Sequence, residues 1–342
     1  MKDLRVGVIN WDSALPPETY FGRYMARSLS PLKYHARLPF FAEVKGEDEV
    51  QFHYRTPEEF EKELAYAAEA GIDYFAHTWY SEEALGAADP ESGNVDNVVW
   101  ELNYARKLHQ QSPMNKKVGL CAILICMHAY SDADFEKLAA AMKEDYYEKI
   151  GGRPLLYLFG GYRVDVAARA EKAAEALGLS KPFIAFMNNG AVPEGVDPRE
   201  ADAVTDYACS NPTPIHSFGE LYDVMIEKNE ARKKYGTQII PQFTMGWDPS
   251  PRRDSPVPWT KYSDRACAGN ITEKEVAEGA EKLAAWIGSN PDCTKTGHIL
   301  TFAWNEFEEG GYICPTLGAD GKPDVTRLEM FKKAVEIWKD TL

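Results

Sequence analysis

The sequence predicts an α/β protein folded as a single closed (β/α)8 barrel. Three observations predict it: eight short apolar runs, amphipathic stretches of helical period between them, and glycine-capped joints leading from a helix into the next strand. The predicted strands are Leu4 to Asn10, Tyr74 to Thr78, Val118 to Cys126, Pro154 to Phe159, Pro182 to Met187, Ala203 to Tyr207, Gln238 to Thr244 and His298 to Ala303. The predicted helices are Pro57 to Ala70, Val95 to Gln111, Ser131 to Lys149, Val164 to Leu177, Phe218 to Lys234, Glu273 to Ser289 and Asp324 to Lys339. Strands that alternate with helices pair in parallel, and eight of them in 342 residues suit a closed barrel better than an open doubly wound sheet.

Taken in order, the first strand is followed by a long segment, Asp12 to Arg55, rich in aromatics and prolines, which is predicted as a loop over the barrel mouth. Thr56, Pro57 and Glu59 then start a helix: the hydroxyl serves free amides, and proline at the first position forgoes a donor that has no partner there. Gly71 stops that helix before the second strand, and Gly178 does the same before the fifth. After the fifth strand VPEGVDPREADA offers hardly a helical turn. The run KNEARKKYG, 228–236, reads as a solvated helix end with cations near the negative pole of the helix dipole. No linker, repeat or low-complexity tract divides the chain, so residues 1–342 are expected to form one catalytic domain.

A hydrophobic content of 44% supports a large core, and 53 acidic against 38 basic residues leave a formal charge of −15. That balance disfavours nucleic acid or an anionic membrane as partner and favours a neutral or cationic ligand. The six cysteines (Cys121, Cys126, Cys209, Cys267, Cys293 and Cys314) lack metal-type spacing, and several sit in apolar runs, so neither a disulfide framework nor a metal centre is expected. Residues 1–10 lack a basic stretch followed by a long apolar segment, and no run approaches a membrane span, so a cytoplasmic location is expected for a native N-terminus.

In such a barrel chemistry lies at the C-terminal ends of the strands. That filter selects Asn10, Trp11 and Asp12; His77, Thr78, Trp79 and Tyr80; Met127 and His128; Asn188 and Asn189; Gly246, Trp247 and Asp248; and Trp304, Asn305, Glu306 and Glu309. Aromatic faces stack on the C–H faces of sugar rings while Asn, Asp and Glu bind hydroxyls, so the mixture points to a carbohydrate, and no phosphate-cradling glycine loop competes with it. Buried carboxylates at the end of an apolar strand are costly, which singles out Glu306 and Glu309. Their bland alternative is a solvated acidic turn. Trp247 with Asp248 also reads as a packing ring and a helix cap, Trp11, Trp79, Tyr80 and Trp304 as cover for the mouth, and His77 and His128 as satisfied histidines.

The run NEFEEG, 305–310, resembles the strand-eight signature Asn-Glu-Trp-x-Glu-Gly of the glycoside hydrolase family 99 and WbsX-like group. PQFTMGWDPSPRR, 241–253, is similar to the group's strand-seven segment, and AGIDYFAHTWY, 70–80, and IGGRPLLYLF, 150–159, agree more loosely. The resemblance implies a TIM barrel acting on glycosidic bonds without metal or cofactor. It implies Glu306 as a base on the substrate's own 2-hydroxyl, giving a 1,2-anhydro sugar, and Glu309 as acid and then base. Carboxylates three residues apart on one turn fit that route better than flanking a sugar ring from opposite faces. The acid, Glu309, is expected to hold its proton through an apolar wall or the charge of Glu306. Glu308 is expected to point elsewhere.

Expected sugar contacts are Trp11, Trp79, Tyr80, Asn188, Trp247, Asp248, Arg252, Trp304 and Asn305. Phe307 departs from the usual Trp, Cys314 stands where many relatives carry Glu, and the aromatic-His-Leu-Glu-Pro-Tyr segment of endo-mannosidases is missing, which argues against a mannan substrate. Two other readings stand beside hydrolysis: a WbsX-like glycosyltransferase, weakened by the lack of a nucleotide-sugar site, and a carbohydrate-binding barrel without turnover.

Overall fold

The computed structural model describes residues 4–83, 98–160, 163–188, 196–208, 216–262 and 271–342. Its barrel strands are β1 (Arg5–Asn10), β2 (Tyr74–Trp79), β3 (Gly119–Ile125), β4 (Arg153–Phe159), β5 (Phe183–Asn188), β6 (Ala203–Asp206), β7 in two pieces (Gln238–Ile239 and Gln242–Thr244) and β8 (His298–Phe302). Each pairs in parallel with its sequence neighbour from β1 to β7, and β8 returns to β1 with Arg5 opposite His298.

Closure falls to β7. Its first piece pairs with β6 and its second with β8. Between them the Ile240 N–H donates to Val204 O at 3.0 Å, while the Pro241 carbonyl accepts from Leu300 N at 3.0 Å on the other side. Pro241 has no N–H to give, so the ladder breaks there while the chain itself carries the ring across.

The strands read as unbroken apolar runs because parallel strands are buried on both faces; every residue of β3 is buried. Inside the ring Tyr74 of β2 meets Tyr157 of β4, hydroxyl to hydroxyl at 2.9 Å. Residues 74, 76 and 78 therefore face inward and Trp79 faces the helices.

The outer helices are α2 (Pro57–Glu69), α3 (Tyr104–Gln111), α4 (Asp132–Lys143), α5 (Val164–Ala176), α6 (Phe218–Arg232), α8 (Glu273–Ser289) and α9 (Thr326–Thr341). Thr56, Ser131 and Thr272 start α2, α4 and α8 with reciprocal capping boxes to Glu59, Asp134 and Glu275. Two expectations are corrected. The helix expected over Ser131 to Lys149, α4, ends at Lys143, because Tyr147 and Glu148 turn in beside β3 and Lys149–Ile150 pairs antiparallel with the start of β4. The helix expected over Val95 to Gln111 begins as a 3-10 turn, Val99–Asn103, that leads into α3, and its expected first residues, 95–97, lie outside the described residues. Between β5 and β6 the described residues hold only the turn Pro198–Glu200.

The segment after β1 is not a loop. It folds into α1 (Tyr20–Leu29), a 3-10 turn (Leu32–Arg37) and a hairpin of Glu43–Gly46 with Glu49–Gln51. Thr19 caps α1 by accepting from Gly22 N at 3.1 Å. This excursion grips the chain after β7, which carries the short helix α7 (Ser250–Asp254). Arg27 donates to Pro256 O, Lys33 and Tyr34 reach Asp254, and Arg37 pairs with Asp248. Trp259 then packs among Trp11, Tyr20, Phe21 and Tyr24, with ring centroids 5.2 to 6.2 Å apart. Among the described residues no helix is long and apolar enough to cross a membrane.

At the opposite end of the barrel Glu148 accepts from Arg5 Nε and Nη2 at 3.0 and 2.6 Å and from His298 Nε2 at 3.0 Å. Burial alone raises the proton affinity of Glu148, but the bonds from His298 and Arg5 outweigh it and hold the carboxyl below its usual range. A folded-state pKa below the unfolded one stabilises above the ordinary carboxylate range and ceases to do so as pH falls through the folded value. Glu148→Ala is therefore expected to cost about 3 kcal/mol at neutral pH. Urea melts should show the gap to the parent protein narrowing below about pH 4.

Candidate active site

The turn after β8 is fixed first by backbone. Trp304 N donates to Ile9 O at 2.7 Å, Ala303 N to Gly311 O at 2.8 Å, and Asp248 N to Glu309 O at 2.7 Å. Gly310 has φ +76°, and a Cβ there would lie 3.0 Å from Asp248 N; a Cβ on Gly246 would lie 2.7 Å from Gly310 O. The glycines of both motifs thus let the turns after β7 and β8 touch backbone to backbone.

On that platform stand three buried acids, Glu306, Glu308 and Glu309, around one buried guanidinium, Arg252 of α7. Arg252 Nη1 bonds Glu309 directly, and Nη2 lies 3.0 Å from Glu308 and 3.6 Å from Glu306. Tyr262 accepts from Arg252 at 2.8 Å and donates to Glu309. Tyr207, just past β6, donates to Glu306 at 3.3 Å and stacks on Phe159 at 4.7 Å. Trp11 lies over the guanidinium at 5.0 Å, and its indole N–H bonds Tyr80 Oη at 2.9 Å. Asn305 accepts from Trp11 N at 3.1 Å and so ties β1 to the acid turn.

Burial raises the proton affinity of both outer acids. Glu306 goes well above the usual range, because the charge of Glu309 adds to burial and the guanidinium stands off. For Glu309 the directly bonded Arg252 and Tyr262 oppose burial without cancelling it. The rise for Glu309 has the direction expected of it, and burial is its largest cause. Burial also pushes the hydroxyls of Tyr207 and Tyr262 up, which keeps both as donors.

The structure gathers Trp11, Tyr80, Arg252, Asn305, Glu306 and Glu309 into one cluster. Trp247 joins its edge through Tyr262 and Phe302, with centroids 6.3 and 5.7 Å away. Asn188 is half-buried at the tip of β5, level with Asp206 of β6. Three of the expected sugar contacts are engaged within the protein. Trp79 is 1% exposed, with the Arg106 guanidinium 3.8 Å over its ring, because it points to the helix side of β2. Trp304 has no exposure; its indole donates to Glu63 of α2 at 2.9 Å. Asp248 is taken up by structure, pairing with Arg37 and accepting from Ser250 Oγ at 2.5 Å.

Trp304 belongs to a separate buried network on that helix side, in which Arg55 bonds Asp12 and, at 2.7 Å, Glu63. Cys314 is buried, and the charges of Glu63 and Arg55 reach its thiol. His77 and His109 pair at 2.9 Å, with His109 Nε2 on Val118 O, so both serve packing. Asn189, Cys209 and Cys267 lie outside the described residues. Cys121, Cys126, Cys293 and Cys314 are free thiols. Among the described residues no group of three or more His, Cys, Asp or Glu is arranged to hold a metal ion.

Sequence reasoning missed Tyr207, Tyr262 and Glu308. Tyr207 ends a predicted strand, so the mouth filter could have found it, whereas Tyr262 follows a proline-rich stretch with no periodic signal. Glu308 was expected to point elsewhere; it points at Arg252, its other oxygen accepting from Ser28 of α1 at 2.5 Å.

Removing the cation tests the electrostatics. In Arg252→Met, Glu306 and Glu309 lose the cation that the described residues place beside them, and their proton affinities rise further above those of the unfolded chain. Folding then takes up protons, so the penalty is large above the carboxylate range and shrinks as pH falls through it. The expected loss is about 3–5 kcal/mol at pH 7 in urea melts, with partial recovery near pH 5.

No family model and no curated protein sequence matches the chain. Solved structures do. A GH99 endo-α-mannosidase of Bacteroides thetaiotaomicron matches 100% of this chain and 99% of its own, with a TM-score of 0.59 at 11% identity. The same enzyme bound to bis-tris-propane gives 0.56 at 14% identity with the same coverage. A β-glucosidase of Thermotoga maritima in complex with glucoimidazole covers 99% of this chain and 98% of its own at a TM-score of 0.50 and 9% identity. At such low identities these likenesses establish the fold: an α/β barrel of the TIM type, similar to that of the family 99 enzyme.

Proposed function

We propose that residues 1–342 form one catalytic domain, a retaining glycoside hydrolase that cleaves a neutral or cationic oligo- or polysaccharide with Glu306 and Glu309 as its carboxylate pair. The observation that carries this reading is the placement of both acids, buried and raised in proton affinity, around one guanidinium at the C-terminal end of β8. Perturbed carboxyls beside aromatic rings at that end of a barrel are where acid–base work is done.

The division of labour follows the resemblance. Glu306 takes the proton of the 2-hydroxyl as its oxygen attacks C1, while Glu309 gives a proton to the departing glycosidic oxygen. Water then opens the 1,2-anhydro sugar at C1, losing its proton to Glu309 as Glu306 returns one to O2. The two inversions at C1 give net retention, and no metal or cofactor enters the scheme. Sugar hydroxyls that draw Arg252 and Tyr262 to themselves relieve Glu309 of its cation, which raises its proton affinity further and suits it to the acid role. With Glu309 protonated, Glu306 no longer faces that neighbour's charge and ionises more readily as the base.

Hydrolysis across a panel of α- and β-linked oligosaccharides tests the assignment. Glu306→Gln and Glu309→Gln are each expected to lose about 10²–10⁴-fold in kcat/KM with the fold retained; full activity in either ends it. With an aryl leaving group that departs without a proton, Glu309→Gln should regain most of its rate and Glu306→Gln should not. The reverse pattern assigns the acid role to Glu306. Binding without turnover in calorimetry would instead mark a carbohydrate-binding barrel, and thermal protection by activated donors alone a transferase.

A further inference from the structure

We propose that Glu308, the middle acid of the turn, is a positioning residue: by holding Nη2 of Arg252 it divides that single guanidinium unequally between the two outer glutamates. The proposal rests on the reading of Glu306 and Glu309 as the working pair, and it adds a residue which that reading leaves idle.

The geometry is specific. Glu308 is 2% exposed, and each of its oxygens has a partner: Oε1 accepts from Ser28 Oγ at 2.5 Å and Oε2 from Arg252 Nη2 at 3.0 Å. The same Nη2 stands 3.6 Å from Glu306, beyond a good hydrogen bond, while Nη1 is committed to Glu309 and Tyr262. A guanidinium is a rigid planar fork, so fixing Nη2 on Glu308 fixes where Nη1 points. Glu308 thereby keeps the cation on Glu309 and withholds it from Glu306.

Its own charge acts in the same sense on Glu306 and against ionisation of both outer acids. The groups facing this cluster are Ser28 from α1, Arg252 from α7, Tyr262 beyond it, Tyr207 past β6 and Tyr80 past β2, with the two outer glutamates on the same turn. Among the described residues Arg252 is the only cation facing the cluster, so Glu308 decides how that positive charge is apportioned. Ser28 explains why α1 matters here: it anchors Glu308 from an excursion some 280 residues away in sequence.

The test uses the full chain carrying ¹³C-carboxyl glutamate, with the Glu306 and Glu309 resonances identified through their own Gln variants and titrated without substrate. In Glu308→Gln, Nη2 loses its charged partner and turns to Glu306. Its titration is expected to fall by about one unit or more, with Glu308→Asp restoring most of the parent value. Ser28→Ala should move Glu306 in the same direction by less, and it serves as the reading should Glu308→Gln not fold.

In kcat/KM the alkaline limb moves to lower pH, giving about a tenfold loss above it and little change below it. A purely structural Glu308 predicts a lower melting temperature with the Glu306 titration unmoved in both Glu308→Gln and Ser28→Ala, and that result overturns the proposal. Absence of turnover in the parent protein, with the titration shifted as expected, counts against the hydrolase reading alone and supports the positioning role.

Discussion

Among the described residues three buried acids share one cation, and much of the molecule is arranged so that the cation stays. Taking an ion from water into a protein interior costs several kcal/mol even after relaxation, and partners at good geometry must return it. Arg252 sits on a helix of only five residues, too short to hold itself in place. What fixes it is the excursion after β1, which bonds residues 248, 254 and 256 and surrounds Trp259 with rings. The clamp and the chemistry are one construction.

Barrel strands place neighbouring residues on opposite faces, and the protein builds a different polar network on each. Trp11 faces the mouth and lies over Arg252; Asp12, the next residue, pairs with Arg55 on the helix side. Glu63 continues that outer network to Trp304, the residue just before the acid turn. The inner acids thus rest on a frame that is itself ionic and buried. Both sets of charges are paired closely, as burial in a low-dielectric interior requires.

Much of this was legible in the sequence. Strands buried on both faces announce themselves as continuous apolar runs, and capping boxes at Thr56 and Ser131 mark where helices begin. The Glu306–Glu309 spacing and the glycines around it were visible as motifs, and the structure gives those glycines a reason in the contact between two turns. The face of a strand-end aromatic was not legible from position alone. Counting by twos from Tyr74 sends Trp79 outward, yet only the Tyr74–Tyr157 contact says which parity is inside. The break in β7 was hidden because Pro241 lies within an otherwise apolar run. Tyr262 carries no pattern at all, since a lone tyrosine acquires meaning only from the arginine that folding brings to it.

The ring of strands has one link that is covalent rather than hydrogen-bonded in character. Across Ile240 and Pro241 the chain steps from one neighbour to the other, so the seam of the cylinder runs through a two-residue hinge instead of a shared edge. An edge left open by a missing pairing invites another molecule to fill it; a seam stitched by the backbone offers no such template. The proline that interrupts the pattern therefore leaves the barrel sealed against strand addition at that join.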